Sequence, residues 1–226
     1  MNIFEIIKYN IINSVIKPLE ANLSKLNVED EYMEKLDGLH INFENSKKWK
    51  GIVLHHSASI DGKINDWKGI REYHTSWRYE DNIITEDQAK KLLEEGIQGV
   101  VAPWRDVGYH FGIEQENDEY VYKIGRSLSL SGAACVGYNN THIQLCTVGD
   151  YDNECLNEKQ LEMIINLLKY LKQQIVSIDL QNELLGHYES FIELGLAKTK
   201  EEAWKKYKTC PGKLFLLDRI KNEFKI

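Results

Sequence analysis

Three residues in this chain stand out as candidate metal ligands, each standing where a short ordered run ends: His55 in LHHSAS, His187 in LLGHYE and Cys210 in KTCPG. Imidazole and thiolate both suit zinc, and catalytic zinc sites use three protein ligands while leaving a fourth position for water. Two histidines and a cysteine meet that count. Their spacing is no motif in itself, and a lone histidine or cysteine is more often structural than ligating. Two further residues have reactive side chains but plain alternative readings. Lys208, alone, is a solvated lysine in a KKYK run, and Tyr109, alone, is a core-facing strand aromatic.

The elements around these residues predict how they are carried. GIVLHH has the pattern of a short buried strand ending in histidines. Residues 66–80 have helical character, and TEDQAKKLLEEG supplies Thr85 as N-cap, Gln88 at the capping-box position and Gly96 as a stop. VGYHFGIEQ and EYVYKIG alternate about the polar tip ENDE, as a β-hairpin does, and THIQLCTVG reads as another strand. Asn157 caps the strongest helical pattern, with Leu161, Ile164, Ile165, Leu168 and Leu171 on one face. Thr199 and Glu202 form a capping box before AWKKYK, and KLFLLDRIKNEF reads as a final amphipathic helix after Pro211-Gly212. The order is mixed α/β: a central mixed β-sheet flanked by helices.

Ahead of this lies a segment with Ile3, Ile7, Ile11, Val15, Leu19 and Leu23 at every fourth position, a helical stripe that Pro18 kinks or divides. The parse is therefore a helical extension over residues 1–45 and a catalytic domain over 46–226. Polar residues interrupt every apolar run of the extension, so neither a signal peptide nor a membrane span is expected. With 35 acidic against 28 basic residues the net charge is -7, which argues against nucleic acid as a partner. The four cysteines show no CxxC spacing and read as thiols of a reducing compartment.

The flanking residues then resemble the type-2 amidase family, which includes phage amidase-type lysozymes and peptidoglycan-recognition proteins. LHHSAS is similar to that family's strand ending in a ligand histidine, DVGYHF to its G-Y-H-F strand, GYNNTHIQLCTVGDYD to its G-Y-N to V-G-D segment, and GHYE and TCPG to its two remaining ligand motifs. The resemblance spans residues 50–222. It implies one zinc ion on His55, His187 and Cys210, with His56 left out, and it implies that Tyr109 and Lys208 are the active-site tyrosine and lysine. The fold it implies is peptidoglycan-recognition-protein/amidase-like. The activity it implies is hydrolysis of the amide between N-acetylmuramic acid and L-alanine in peptidoglycan. Arg126 and Asn139 fall in segments expected at the cleft rim, where they would hydrogen-bond glycan or peptide, though each reads equally as a solvated surface residue. Glu189 is expected to orient a neighbour, and His110 to be either packed or in support of the ligands.

The pattern departs from the family in three places. Ala134 stands where phage enzymes often have a histidine, residues 80–103 look inserted, and the stretch from His187 to Cys210 is long. The second insertion reads as a cleft wall or lid, or as a surface helix anchored by Trp204. The expected role is a monomeric phage or prophage endolysin, cytoplasmic when made and reaching the wall through a separate membrane pore. A cytoplasmic muropeptide-recycling amidase and a non-catalytic peptidoglycan binder are the alternatives; in the resemblance such binders commonly lack the ligand cysteine.

Overall fold

The computed structural model describes residues 17–18, 31–58 and 66–225. The chain divides into two compact units, Met1–Ile41 and Asn42–Ile226. In the first, residues 31–37 are helical; the stripe from Ile3 to Leu23 lies outside the described residues. No helix of the described residues is long and apolar enough to cross a membrane.

The second unit is built on a five-stranded sheet in the order β5-β4-β6-β1-β7. These strands are β1 (Gly51–His56), β4 (Phe111–Glu116), β5 (Glu119–Ile124), β6 (His142–Thr147) and β7 (Leu184–Gly186). β4, β6, β1 and β7 run parallel, and β5 lies antiparallel at the edge. All six residues of β1 and of β6 are buried, as expected of central strands covered on both faces. The predicted hairpin is β4–β5. Its two-residue turn, Asn117–Asp118, has φ of 48° and 66°, the left-handed pair that Asn and Asp tolerate.

Helices cover the sheet. The longest, α3 (Glu158–Gln174), has the expected Asn157 cap, closed reciprocally by Gln160, and buries Leu161, Ile164, Leu168 and Leu171. Each such side chain contributes about 2 kcal/mol when withdrawn from water. The Tyr122 hydroxyl on β5 donates to the Met163 carbonyl of α3 at 3.1 Å. α2 (Glu86–Glu94) begins at Thr85 with both halves of its capping box and is followed by Gly96 at φ 76°.

Two helical expectations are corrected. Within residues 66–80 the helix α1 (Trp67–His74) stops at Thr75, and Trp77–Tyr79 forms strand β2 against β3 (Asn82–Ile84). Alternation of Trp77 and Tyr79 about buried Arg78, whose backbone bridges Val101, outweighs the helical pattern there. The final helix, α6, spans only Leu217–Asn222, because Leu216 is left-handed at φ 57° and Phe215 turns inward to pack edge-on against Tyr151 at 5.3 Å. The 187–210 stretch holds two short helices, α4 (His187–Glu193) and α5 (Lys200–Lys206).

Candidate active site

His55 lies near the end of β1, and the parallel register sets β6 beside it, with Val53 opposite Gln144 and His55 opposite Cys146. The Gln144 amide fixes the histidine's tautomer. Its nitrogen donates to the His142 carbonyl at 2.9 Å, so its oxygen accepts from His55 Nε2 at 2.8 Å. The proton therefore sits on Nε2, and the Nδ1 lone pair faces Cys210 Sγ at 3.6 Å, within hydrogen-bond reach of its thiol. His187 opens α4 immediately after β7, the strand on the other side of β1. Cys210 is latched to it through the backbone, since Tyr188 N donates to the Cys210 carbonyl at 2.8 Å. After the cysteine the chain must turn sharply: Gly212 has φ 112°, and a Cβ there would lie 2.5 Å from the Tyr151 backbone.

The three donor atoms lie within 4.8 Å of one another, all buried. Burial, opposed by the Gln144 hydrogen bond and aided by repulsion from Lys208, holds His55 down at about 3, and burial with the neighbouring His55 holds His187 at about 2. Both imidazoles are thus neutral and able to offer lone pairs. Burial pushes the Cys210 thiol up to about 12. An isolated thiol so placed keeps its proton, whereas a cation in the cluster reverses that preference by holding the thiolate. The set could hold a metal ion: three donor atoms lie close together, and all three residues line one cavity.

That cavity, about 500 Å³, has the three donors among its lining, with Trp104, Trp204 and Tyr207 on its walls. Lys208 also lines it, exposed, and among the described residues its ammonium has no ion-pair partner. The Tyr109 ring lies 5.3 Å from that of His55; burial, then the nearby Cys146 and Cys210 sulfurs, keeps the phenol protonated. The five residues expected to ligate or catalyse are therefore gathered around one cavity.

The two expected rim residues are not among its lining. Arg126 spends its guanidinium on the carbonyls of Val107 (2.7 Å), Ser131 (2.9 Å) and Asp106 (3.3 Å). The Asn139 side-chain oxygen accepts from the backbone of Ala134 and Cys135, both at 2.9 Å. Each clamps a loop instead of facing the cavity, and Asn139 thereby shapes the Ala133–Ala134 part of its wall. His110 is packed: it accepts from Gln144 N, donates to the Leu130 carbonyl and meets Trp49 edge-on. His56 turns its Nδ1 to Tyr151 N at 3.2 Å, away from the cluster. Glu189 accepts from Gly186 N and pairs with Lys221, fixing the start of the helix that carries His187.

Sequence reading missed three contributors. Gln144 gives no signal beyond a polar residue in an apolar strand. His74 lines the cavity with Nδ1 accepting from Gly108 N at 3.2 Å, which leaves its Nε2 as the donor nitrogen; it stacks on Trp104 at 4.6 Å, and burial lowers it to about 4. Asp152 accepts from the Thr209 hydroxyl and from Lys213 N, tying down the segment around Cys210.

The sequence model described as N-acetylmuramoyl-L-alanine amidase matches residues 45–213. A comparison with curated proteins finds no match. Among solved structures, "Endolysine N-acetylmuramoyl-L-alanine amidase LysCS" from Clostridium intestinale is similar with a TM-score of 0.50 at 21% identity, covering 79% of this chain and 84% of that one. Drosophila PGRP-LB is similar with a TM-score of 0.48 at 22% identity, covering 77% and 82%. At these identities the likeness concerns fold, whereas the sequence model covers the strand, helix and loop motifs that bring His55, His187 and Cys210 together. On that match the chain belongs to the N-acetylmuramoyl-L-alanine amidase family, and it is an amidase with a mixed sheet flanked by helices.

Proposed function

We propose that the protein is a zinc-dependent peptidoglycan hydrolase that cuts the amide joining N-acetylmuramic acid to L-alanine, with zinc held by His55, His187 and Cys210. The observation that carries this reading is the convergence of three buried donor atoms within 4.8 Å at a cavity that Lys208 also lines. Two neutral imidazoles and one thiolate suit a borderline ion, and three ligands leave it open. A zinc ion held there supplies Lewis acidity toward an amide carbonyl and acidifies a water.

The chain's own residues supply the rest. Lys208 places a free ammonium where it can donate to the oxyanion of a tetrahedral intermediate, and the Tyr109 phenol stays protonated as a second donor. Trp104 and Trp204 wall the cavity with apolar surface. A proton must also reach the departing L-alanine nitrogen. Lys208 and Tyr109 are the residues assigned to it. Arg126 and Asn139 act on substrate only through the loops that they hold.

We place the activity in a phage or prophage endolysin, made in the cytoplasm and passed to the wall through a separate pore. The fold-level likeness to an endolysin amidase supports this role. Mass spectrometry of digested sacculi tests the reaction. Free glycan chains and intact stem peptides are expected; new reducing sugar ends would overturn it. Activity on soluble muropeptide fragments but not on intact sacculi would indicate a recycling enzyme, and zinc-independent binding without cleavage would indicate a recognition protein.

A further inference from the structure

The two histidines of the cluster are supported unequally. His55 is held through its outer nitrogen by Gln144. His187 makes no side-chain hydrogen bond among the described residues, although a ligand imidazole ordinarily donates its outer N–H to an acceptor that fixes the ring. What His187 has instead is a column of parallel rings. Phe191, one helical turn later on α4, lies 5.8 Å away at an interplanar angle of 13°, and Tyr207 lies on Phe191 at 4.5 Å and 8°. His187 also meets the His55 ring edge-on at 4.7 Å.

The column is tied off at its far end. Tyr207 closes α5, its hydroxyl donates to the Leu196 carbonyl at 3.2 Å, and the backbone N–H groups of Leu196 and Ala197 both return to the Phe191 carbonyl, at 2.9 and 3.0 Å. The stretch that departs from the family in length thus bends back from His187 and lays a ring on the ring behind it. Tyr207 is also followed directly by Lys208, Thr209 and Cys210.

We propose that Phe191 and Tyr207 are positioning residues for the metal ligand His187, their stack taking the place of the missing hydrogen-bonded support and pre-setting the imidazole for the ion. The inference rests on the reading of His187 as a ligand. Stacked rings limit rotation about the histidine's side-chain bonds, so the cost of ordering the ligand is met during folding and not at metal binding. The long 187–210 stretch is, on this view, a brace for the site as well as a wall of its cavity.

The test is metal affinity in the full chain, read by chelator competition with zinc and by the visible spectrum with cobalt(II). Tyr207→Leu keeps bulk and removes the ring; Tyr207→Phe keeps the ring and removes the hydroxyl. Zinc affinity is expected to fall roughly tenfold or more in Tyr207→Leu, the range for loss of support behind a ligand, with altered cobalt bands at saturation. Both are expected to return to wild type in Tyr207→Phe. Wild-type affinity in Tyr207→Leu would overturn the proposal, as would equal loss in both variants, which would assign the effect to the hydroxyl. If Tyr207→Leu does not fold, the metal-free wild type decides by NMR. A single set of His187 ring protons shifted upfield by Phe191 supports the brace, and averaging between rotamers overturns it. Cys210→Ser measured alongside separates the two readings: unchanged zinc content there would remove the site itself, whereas lost zinc there with an unaffected Tyr207→Leu would remove only the brace.

Discussion

The sheet side and the helical side of this site hold the same kind of side chain, a buried histidine, by different physics. On the sheet side, β1 and β6 are locked in parallel register, so Gln144 arrives beside His55 with its amide already oriented by the His142 carbonyl. On the helical side, His187 and Cys210 come from segments joined by one backbone hydrogen bond, Tyr188 N to the Cys210 carbonyl, and by a stack of rings. A regular ladder positions a side chain through hydrogen bonds whose geometry it already dictates. A loop-rich region has no such ladder and relies on packing and local latches.

The comparison breaks most visibly at Cys210. Cys210→Ser replaces a thiolate by a hydroxyl that stays protonated near neutral pH, so zinc binding and amide cleavage should both collapse while the sheet stays folded. Elemental analysis paired with product mass spectrometry checks this, and full zinc with full activity would remove Cys210 from the shell. Next in size, Lys208→Ala should slow turnover on the order of 10²-fold with zinc content retained, because the proposed mechanism gives its ammonium to the oxyanion and not to the metal. Comparable losses of zinc and rate in that variant would move Lys208 to a supporting role.

The sheet side is probed by Gln144→Leu, which leaves the buried Nε2–H of His55 without an acceptor. Zinc affinity should fall roughly 10- to 100-fold. An unchanged value would mean that the ladder alone orients His55.

Acid gives a smaller, graded effect. Burial holds His55, His187, His74 and His110 at about 3, 2, 4 and 4 respectively, against about 6.5 unfolded. Between those values the unfolded chain binds more protons than the folded one, so stability falls as pH drops below about 6.5 and is level with respect to these groups above it. Urea melts of the metal-free protein at pH 7.5 and 5 should therefore separate, with the lower midpoint in acid. The smallest expected effect on zinc belongs to removal of residues 1–45, since every proposed ligand lies beyond them; zinc lost from a still-folded truncation would defeat that boundary.

Much of this was legible along the chain. Asn157 with Gln160 and Thr85 with Gln88 announce their helices because a cap is a local interaction, complete within four residues. The buried runs of β1 and β6 are equally local in pattern. The cluster of three donors was readable through the resemblance of short motifs, not through spacing, since His55, His187 and Cys210 are brought together only by β1 pairing with β7 and by the latch at Tyr188. Periodicity failed at residues 77–79 and 213–216, where strand pairing with Asn82–Ile84 and the inward turn of Phe215 outweigh local preference.

By itself, then, the sequence determined the strands β1, β4, β5 and β6, the Thr85 and Asn157 caps and the types of donor available, because these depend on neighbours within a turn or a strand. Only the tertiary structure decided that Gln144 sets the tautomer of His55, that Arg126 and Asn139 face backbone and not the cavity, and that Phe191 and Tyr207 stand behind His187. Each of those is a contact between segments distant in the chain, and its geometry follows from sheet register and packing, which no single segment encodes.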